Sequence, residues 1–336
     1  MQQNIHCPSR LDLASSLAFA NRLRELEETE EYCFDFSSLN YTSPFGFLYI
    51  SNLLANFAKS KPKGTIFSKG HTGKSYHAHM GFFQAFGLKH GNKPGEANGS
   101  GNYLPITHHP VSDFIKKAAS SGTPIGEAVE ESAQKISQIL TQQDSGNIVE
   151  VLTYSIREIV RNVVEHSNSN TISYCAQYWP SQDRVEIAIL DNGDGIYSSL
   201  RKNPFVEMKN DHDAIHAALL PSVSGKMFKG IKVRKNDVWQ NSGYGLYMTS
   251  RLCRHGGNFF IGSGDSSFQL QGQNKTYFNF SHKGTIIRLV MRPSQIGTLN
   301  EKLLQFSKEG KEIAKGIKGT KLLASKASQM LTNDFN

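Results

Sequence analysis

Hydrophobic positions along the first hundred residues change period several times. Leu13, Leu17, Ala20 and Leu23 recur at helical spacing, and YCFDF (32–36) is an apolar run of strand length. PFGFLYISNLLANFAKS, from position 44, opens on a proline suited to the first turn of a helix. GTIF (64–67) reads as another strand and SYHAHMGFFQAFGL (75–88) as another helix. Such alternation predicts an α/β layer. Between about 89 and 105 the chain turns glycine- and asparagine-rich, which marks a surface excursion or a boundary.

Helical stretches follow at about 123–140 and 147–167. Then come TISYCAQYW and RVEIAILD, in which Val185, Ile187 and Ile189 alternate with their neighbours as strand residues do. Positions 197–240 are polar, basic and poorly periodic, and predict one long mobile segment. Pattern returns with a helix at about 245–255, strands near 258–262 and 275–280, and the strand GTIIRLVMR. Beyond 294 a lysine-rich tail is only loosely periodic in Leu299, Leu303, Leu304, Ile313 and Ile317, which predicts an appended helix or a partly disordered segment. The organisation expected is an α/β domain over 1–100, a linker and helix over 101–144, a second domain over 145–293, and the tail 294–336.

The 336 residues, 38% hydrophobic and 20% charged, leave room for two cores. No apolar run approaches the length of a membrane span and no secretory pattern opens the chain, so the expected location is cytoplasmic. Cys7, Cys33, Cys175 and Cys253 form no C-x-x-C pair, which disfavours a zinc knuckle or a disulfide framework. A formal charge of +8 suits an acidic partner, whether nucleic acid, a membrane surface or an acidic protein. For nucleic acid, charge is the whole argument, because no aromatic-interleaved basic groove or reader motif accompanies it.

Three short stretches carry candidate chemistry. In REIVRNVVEH (157–166), Glu158, Asn162 and His166 fall four apart and share one helix face beside an apolar stripe of Leu152, Ile156, Ile159 and Val163. In ILDNGDGI (189–196), a strand delivers Asp191 to a turn with Gly193 and Gly195, where backbone can approach a flat ligand and a carboxylate can accept from an exocyclic amine. A calcium loop would want an oxygen side chain where Gly193 stands. In NSGYGLYMTSRLCRHGG (241–257), Gly243 and Gly245 precede a helix whose free N–H groups suit phosphate. Taken singly, each also fits an ordinary role: a solvated helix face, an Asn-Gly or Asp-Gly turn, a hinge.

Taken in order, a helix with E-x-x-x-N, a strand with D-x-G-x-G, a lid, G-x-G-L opening a helix and a strand starting Gly-Thr resemble the gyrase, heat-shock chaperone, histidine kinase and MutL ATPases, the GHKL superfamily with its Bergerat fold. The likeness runs over about 145–293 and implies an α+β two-layer domain, helices on one face of a mixed sheet, that binds ATP and Mg²⁺. It implies that Asn162 ligates the Mg²⁺ and that Glu158 orients or deprotonates the attacking water. Asp191 would recognise the adenine amino group with Gly193 and Gly195 beneath the base. Gly243, Gly245 and Leu246 would receive the phosphates, and Thr285 would sit near the adenine. Arg161 and His166 would be pocket neighbours. The lid, about 197–240, carries Lys226, Lys229, Lys232, Arg234 and Lys235, a basic run that suits a γ-phosphate, an acidic partner or plain solvent.

More weakly, the N-terminal region, with FDFSSLNYTSPFGFLYISNLL, resembles a STAS domain, the anti-sigma-factor-antagonist fold. Set on Gly46, that family's phosphorylated serine falls on Pro44 and its aspartate on Ser43, which implies that the phospho-switch is absent. SKGHTGKS (68–75) matches half of a phosphate-binding P-loop but has Ser68 in place of the first glycine, so Lys74 is expected at the surface. His71, His77, His79, His90, His108 and His109 cluster without a cysteine or carboxylate at ligand spacing, which speaks against a metal site.

The function expected is an ATP-binding and hydrolysing switch whose lid controls a protein partner or a homodimer. The alternatives are an anti-sigma-type serine protein kinase acting on a separate protein, or an interaction module that binds nucleotide without turnover. A sensor histidine kinase fits less well, because the histidine followed by an acid, His212, lies in the lid.

Overall fold

The computed structural model describes residues 2–61, 64–232, 238–254, 256–320 and 324–334. The first hundred residues give β1 (Gln2–His6), β2 (Arg10–Leu11), α1 (Leu13–Arg24), β3 (Glu31–Asp35), β4 (Tyr41–Thr42), α2 (Pro44–Ser60), β5 (Thr65–Lys69), α3 (Ser75–His79) and α4 (Phe82–Ala85). A parallel sheet runs in the order β1-β3-β5, and β2 and β4 form a separate parallel pair. The single helix expected over 75–88 is two short ones, because the chain turns at Gly81 with φ 79°. Met80 and Phe83 are buried all the same, and the Phe83 and Phe86 rings pack on Phe36. Pro44 is the first residue of α2, and Ser43 is its N-cap, its hydroxyl accepting from the Gly46 N–H at 3.2 Å.

A five-stranded sheet follows, built from β6 (Tyr103–Pro110), β7 (Thr171–Trp179), β8 (Arg184–Asp191), β9 (Asn258–Gln271) and β10 (Asn274–Met291) in the order β6-β7-β8-β10-β9. Each described pairing in it is antiparallel. Parallel pairing is confined to the N-terminal sheets, so the mixture expected within one sheet is divided between them. The strands expected near 258–262 and 275–280 belong to a longer hairpin of 14 and 18 residues. The stretch expected as linker and helix holds β6, α5 (Val111–Ser121) and α6 (Ile125–Thr141), with β6 bonded along β7 and α6 packed on α7 (Asn147–His166).

Strand β8 shows how the layers meet. Its Val185, Ile187 and Ile189 share a core with Leu152, Ile156 and Ile159 of α7, whereas Ala188 and Leu190 point the other way, into a core with Phe45 and Tyr49 of α2. The sheet therefore carries helices on both faces, with α1 and α2 covering the side that a two-layer domain leaves open. Glu186, fully buried on that side, is held by Arg288 through two bonds of 2.9 Å and receives the Phe45 N–H at 3.4 Å. A buried carboxylate is tolerable only when so paired, and this one fixes the first turn of α2 to the sheet.

Part of the segment expected to be mobile is regular: α8 (Gly195–Leu200) and α9 (Asp211–Ala218), the latter packed on β9. Arg234 and Lys235 lie outside the described residues. Helices α10 (Gly245–Arg254) and α11 (Leu299–Lys315) complete the molecule, and Leu299, Leu303 and Phe306 join the core beside Tyr244 and Tyr247. Leu304 and Ile313 are exposed, which explains why the tail's apolar period looked loose.

Candidate functional site

Helix α7 runs between core and cavity because its two faces differ. Ile148, Leu152, Ile156, Ile159 and Val163 are buried against the sheet, while Glu158, Asn162 and His166 line a cavity of about 990 Å³ counting its open mouth. From β8 comes Asp191, from the turn and α8 Gly195, from the glycine turn and α10 Gly243, Gly245 and Leu246, and from β10 Thr285. Arg161 lines it as well. Of the residues expected in the site, Gly193 alone stands behind the wall: its N–H donates to Asp191 Oδ1 at 2.8 Å, and a Cβ on it would fall 2.0 Å from the Ser167 carbonyl oxygen. Its contribution is to orient the carboxylate.

Asp191 is 2% exposed, and burial pushes its pKa up to about 7 even though backbone N–H groups of Gly193 and Thr285 favour the charged form. Its backbone carbonyl accepts from His282 Nε2 at 2.8 Å, and Thr285 is its partner across the β8–β10 ladder. A carboxylate in this state lacks full solvation and gains by accepting a hydrogen bond from a ligand amine.

At the opposite end, Glu158 is 5% exposed and Oε1 faces arginines: Arg157 Nη2 at 2.9 Å and Arg161 Nη1 at 3.5 Å. Oε2 lies beneath the start of α10, where a Cβ on Gly245 would be 2.2 Å from it. Only glycine allows helix and carboxylate to approach so closely. Gly243 takes φ 73°, a conformation glycine reaches without strain, and turns the chain into α10. Gly243, Gly245 and Leu246 therefore bring the first turn of α10 to the cavity beside Asn162 and Glu158, and the N–H groups of a first helical turn suit phosphate. The donor set fits an adenine nucleotide: an acceptor for an amine at one end, backbone N–H groups and an amide oxygen for a hard cation at the other.

Sequence reasoning missed several groups. Arg157 is wholly buried, paired with Glu130 of α6 as well as Glu158, and lies under the Trp239 ring at 5.6 Å. Arg161 Nη2 donates to the Trp239 carbonyl at 2.7 Å, and Lys226 Nζ donates to the Glu165 carbonyl, so both ends of the basic segment rest on α7. His166, bonded to Asn241, is driven down to about pKa 3 by burial and by the charges of Lys226 and Arg161, and stays neutral. Ser328, from the C-terminal tail, also lines the cavity. An arginine inside an apolar helix stripe was the available signal for Arg157, whereas nothing local marks Ser328.

The remaining motifs lie elsewhere. Lys74 is the N-cap residue of α3, half-buried, with Nζ donating to the Ser37 carbonyl at 2.8 Å. Thr42 and Ser43 are buried, and the Thr42 hydroxyl lies 3.0 Å from His77 Nε2. All four cysteines are buried free thiols. Among the described residues no group of three or more His, Cys, Asp or Glu is placed to hold a metal ion, and no helix is long and apolar enough to cross a membrane.

Comparison with known families agrees with this geometry: residues 148–295 match the family of histidine kinase-, DNA gyrase B- and HSP90-like ATPases. Among curated proteins the chain has no match.

Proposed function

Because residues 148–295 match the family of histidine kinase-, DNA gyrase B- and HSP90-like ATPases, we propose that this chain is an ATP-dependent switch protein that binds Mg-ATP in the cavity and hydrolyses it. One observation carries the reading: side chains and turns from α7, β8, α10 and β10, far apart in sequence, converge on one cavity with an amine acceptor at one end and a helix N-terminus at the other. Asp191, when ionised, accepts from the adenine amino group, with Gly195 and Thr285 around the base. The first N–H groups of α10 receive phosphate oxygens, and Asn162 offers its amide oxygen to Mg²⁺. When bound, the ion neutralises charge on the phosphates. Glu158 has Oε1 committed to arginines, which leaves Oε2 to orient the water that attacks the terminal phosphorus and displaces ADP.

The switch element of the proposal is a protein partner that reads the nucleotide state through the N-terminal unit, the basic segment or the tail, or a second copy of this chain. Its support is the contact of α2 with the base end: Asn52 Nδ2 donates to Asn192 Oδ1 at 3.2 Å, one residue past Asp191. An anti-sigma-type kinase is the alternative, and it would need a separate substrate, since Thr42 and Ser43 are buried and committed.

The test is Mg-ATP binding and turnover by the wild type, Asp191→Asn and Glu158→Gln, with thermal melting as a check on folding. Asp191→Asn should weaken binding about tenfold or more, and Glu158→Gln should bind and fail to turn over. Turnover at the wild-type rate in Glu158→Gln would remove Glu158 from the chemistry, and absence of binding by the wild type would remove the ATP reading.

A further inference from the structure

The C-terminal segment 324–334 is tied into the site at its far end. Arg157 donates to the backbone carbonyls of Ala327 and Met330, the latter at 3.1 Å. The Tyr154 hydroxyl donates to the Ser328 carbonyl at 2.8 Å, and the Thr332 N–H donates to Glu130 Oε1 at 2.7 Å. A second seam joins this segment to the approach to the glycine turn: the Ala327 N–H donates to the Val238 carbonyl at 3.2 Å, and the Ser328 and Ser242 hydroxyls lie 2.8 Å apart. Ser328 itself is 3% exposed and lines the cavity. Bonds from Tyr154 and Arg157 of α7 and Glu130 of α6 hold this segment against the site, and this degree of anchoring points to a role there.

Helix α7 gives the direction. Ser167, at its C-terminus, accepts the Asp194 N–H on its carbonyl at 2.8 Å and so marks the base end beside Asp191. Glu158 lies nine positions earlier, about 13 Å along the helix axis. Tyr154 and Arg157, which hold the tail, lie at or beyond that far end. A nucleotide with its base on Asp191 and its phosphates along Gly243 and Gly245 aims its last phosphate at the tail.

We propose that residues 324–334 form the end wall of the nucleotide site, and that Ser328 presents its hydroxyl to the terminal phosphate of a nucleoside triphosphate. The inference rests on the ATP reading above. A serine hydroxyl can donate to a phosphate oxygen, and Ser242, at the entry to the glycine turn, supplies a second hydroxyl beside it. A diphosphate stops short and leaves Ser328 with its partners Ser242 and Ser325. The tail thereby distinguishes ATP from ADP.

Calorimetric binding of Mg-ATP and Mg-ADP to the full chain, as wild type, Ser328→Asp and Ser328→Ala, tests this. An aspartate placed against the terminal phosphate should weaken ATP at least about tenfold while ADP changes by no more than about threefold. Ser328→Ala adds no charge and keeps the test open if the aspartate variant does not fold. It should weaken ATP about threefold and leave ADP unchanged. Equal losses for both nucleotides, or no loss for either while the wild type binds both, would overturn the end wall and leave the ATP site standing. A wild type that binds neither nucleotide would overturn both.

Discussion

At the base end of the cavity Asp191 is held by near neighbours in sequence and ladder, the Gly193 N–H two positions on and Thr285 directly across the strands. At the far end Arg157 is held by Glu130, Ala327 and Met330, which lie 27, 170 and 173 positions away. The base end is a turn within D-x-G-x-G, completed by one ladder partner and by the Ser167 carbonyl, which accepts the Asp194 N–H at 2.8 Å. The far end exists only after α6, α7 and the tail have packed together. One end is therefore built around a single acid, and the other joins the cavity to the rest of the fold.

Removing one group from each end should separate these roles. Arg157→Met leaves Glu130 buried without its cation and Glu158 with Arg161 alone, and should cost about 3–5 kcal/mol of stability in denaturant unfolding. A loss under about 1 kcal/mol would show that the far end is not a structural hub. Asp191→Asn should do the reverse, folding as well as the wild type while losing about 1.5–3 kcal/mol of adenine-nucleotide affinity, roughly tenfold or more in Kd.

The acid at the base end also sets a pH dependence. Its folded pKa, about 7, is above the ordinary 3.8, so the folded state holds the proton more tightly than the unfolded chain. The Asp191 contribution to stability is therefore greatest at low pH, declines as pH rises through the window from about 4 to 7, and then levels off. Ligand binding has the opposite sign, because an amine donor prefers the ionised acid. Adenosine, which has no phosphate to titrate, should bind more tightly at pH 8 than at pH 6, and Asp191→Asn should flatten that profile.

Gly245→Ala tests where the ends meet. The new Cβ would stand 2.2 Å from Glu158 Oε2, and the required shift should cost about 1–3 kcal/mol in stability, with a matching loss of phosphate affinity. The smallest effect belongs to Lys74→Ala, outside the cavity, which should alter stability by less than about 0.5 kcal/mol and leave nucleotide binding unchanged. A large loss of ATP binding there would revive the P-loop stretch that the geometry sets aside.

The contrast between the ends also explains what the sequence could reveal. Helix faces and turns announce themselves within a few residues, so Glu158, Asn162, Asp191, Gly243 and Gly245 were legible, and the structure gathers them around one cavity. Gly193 does not line the cavity but holds the Asp191 carboxylate, a distinction that spacing alone does not carry. The second helical face of the sheet was hidden in β8: alternation reads as one buried side, whereas Ala188 and Leu190 fill a second core against α2. The tail stayed illegible because its anchors are backbone carbonyls, which carry no side-chain signature.

The most direct measurement is amide hydrogen exchange of the full chain alone, with adenosine and with Mg-ATP. A two-ended site predicts that both ligands slow exchange around 191–196, and that Mg-ATP alone slows it at 243–248 and 324–334. Exchange unchanged by either ligand at both ends, or tail protection by adenosine equal to that by Mg-ATP, would contradict it.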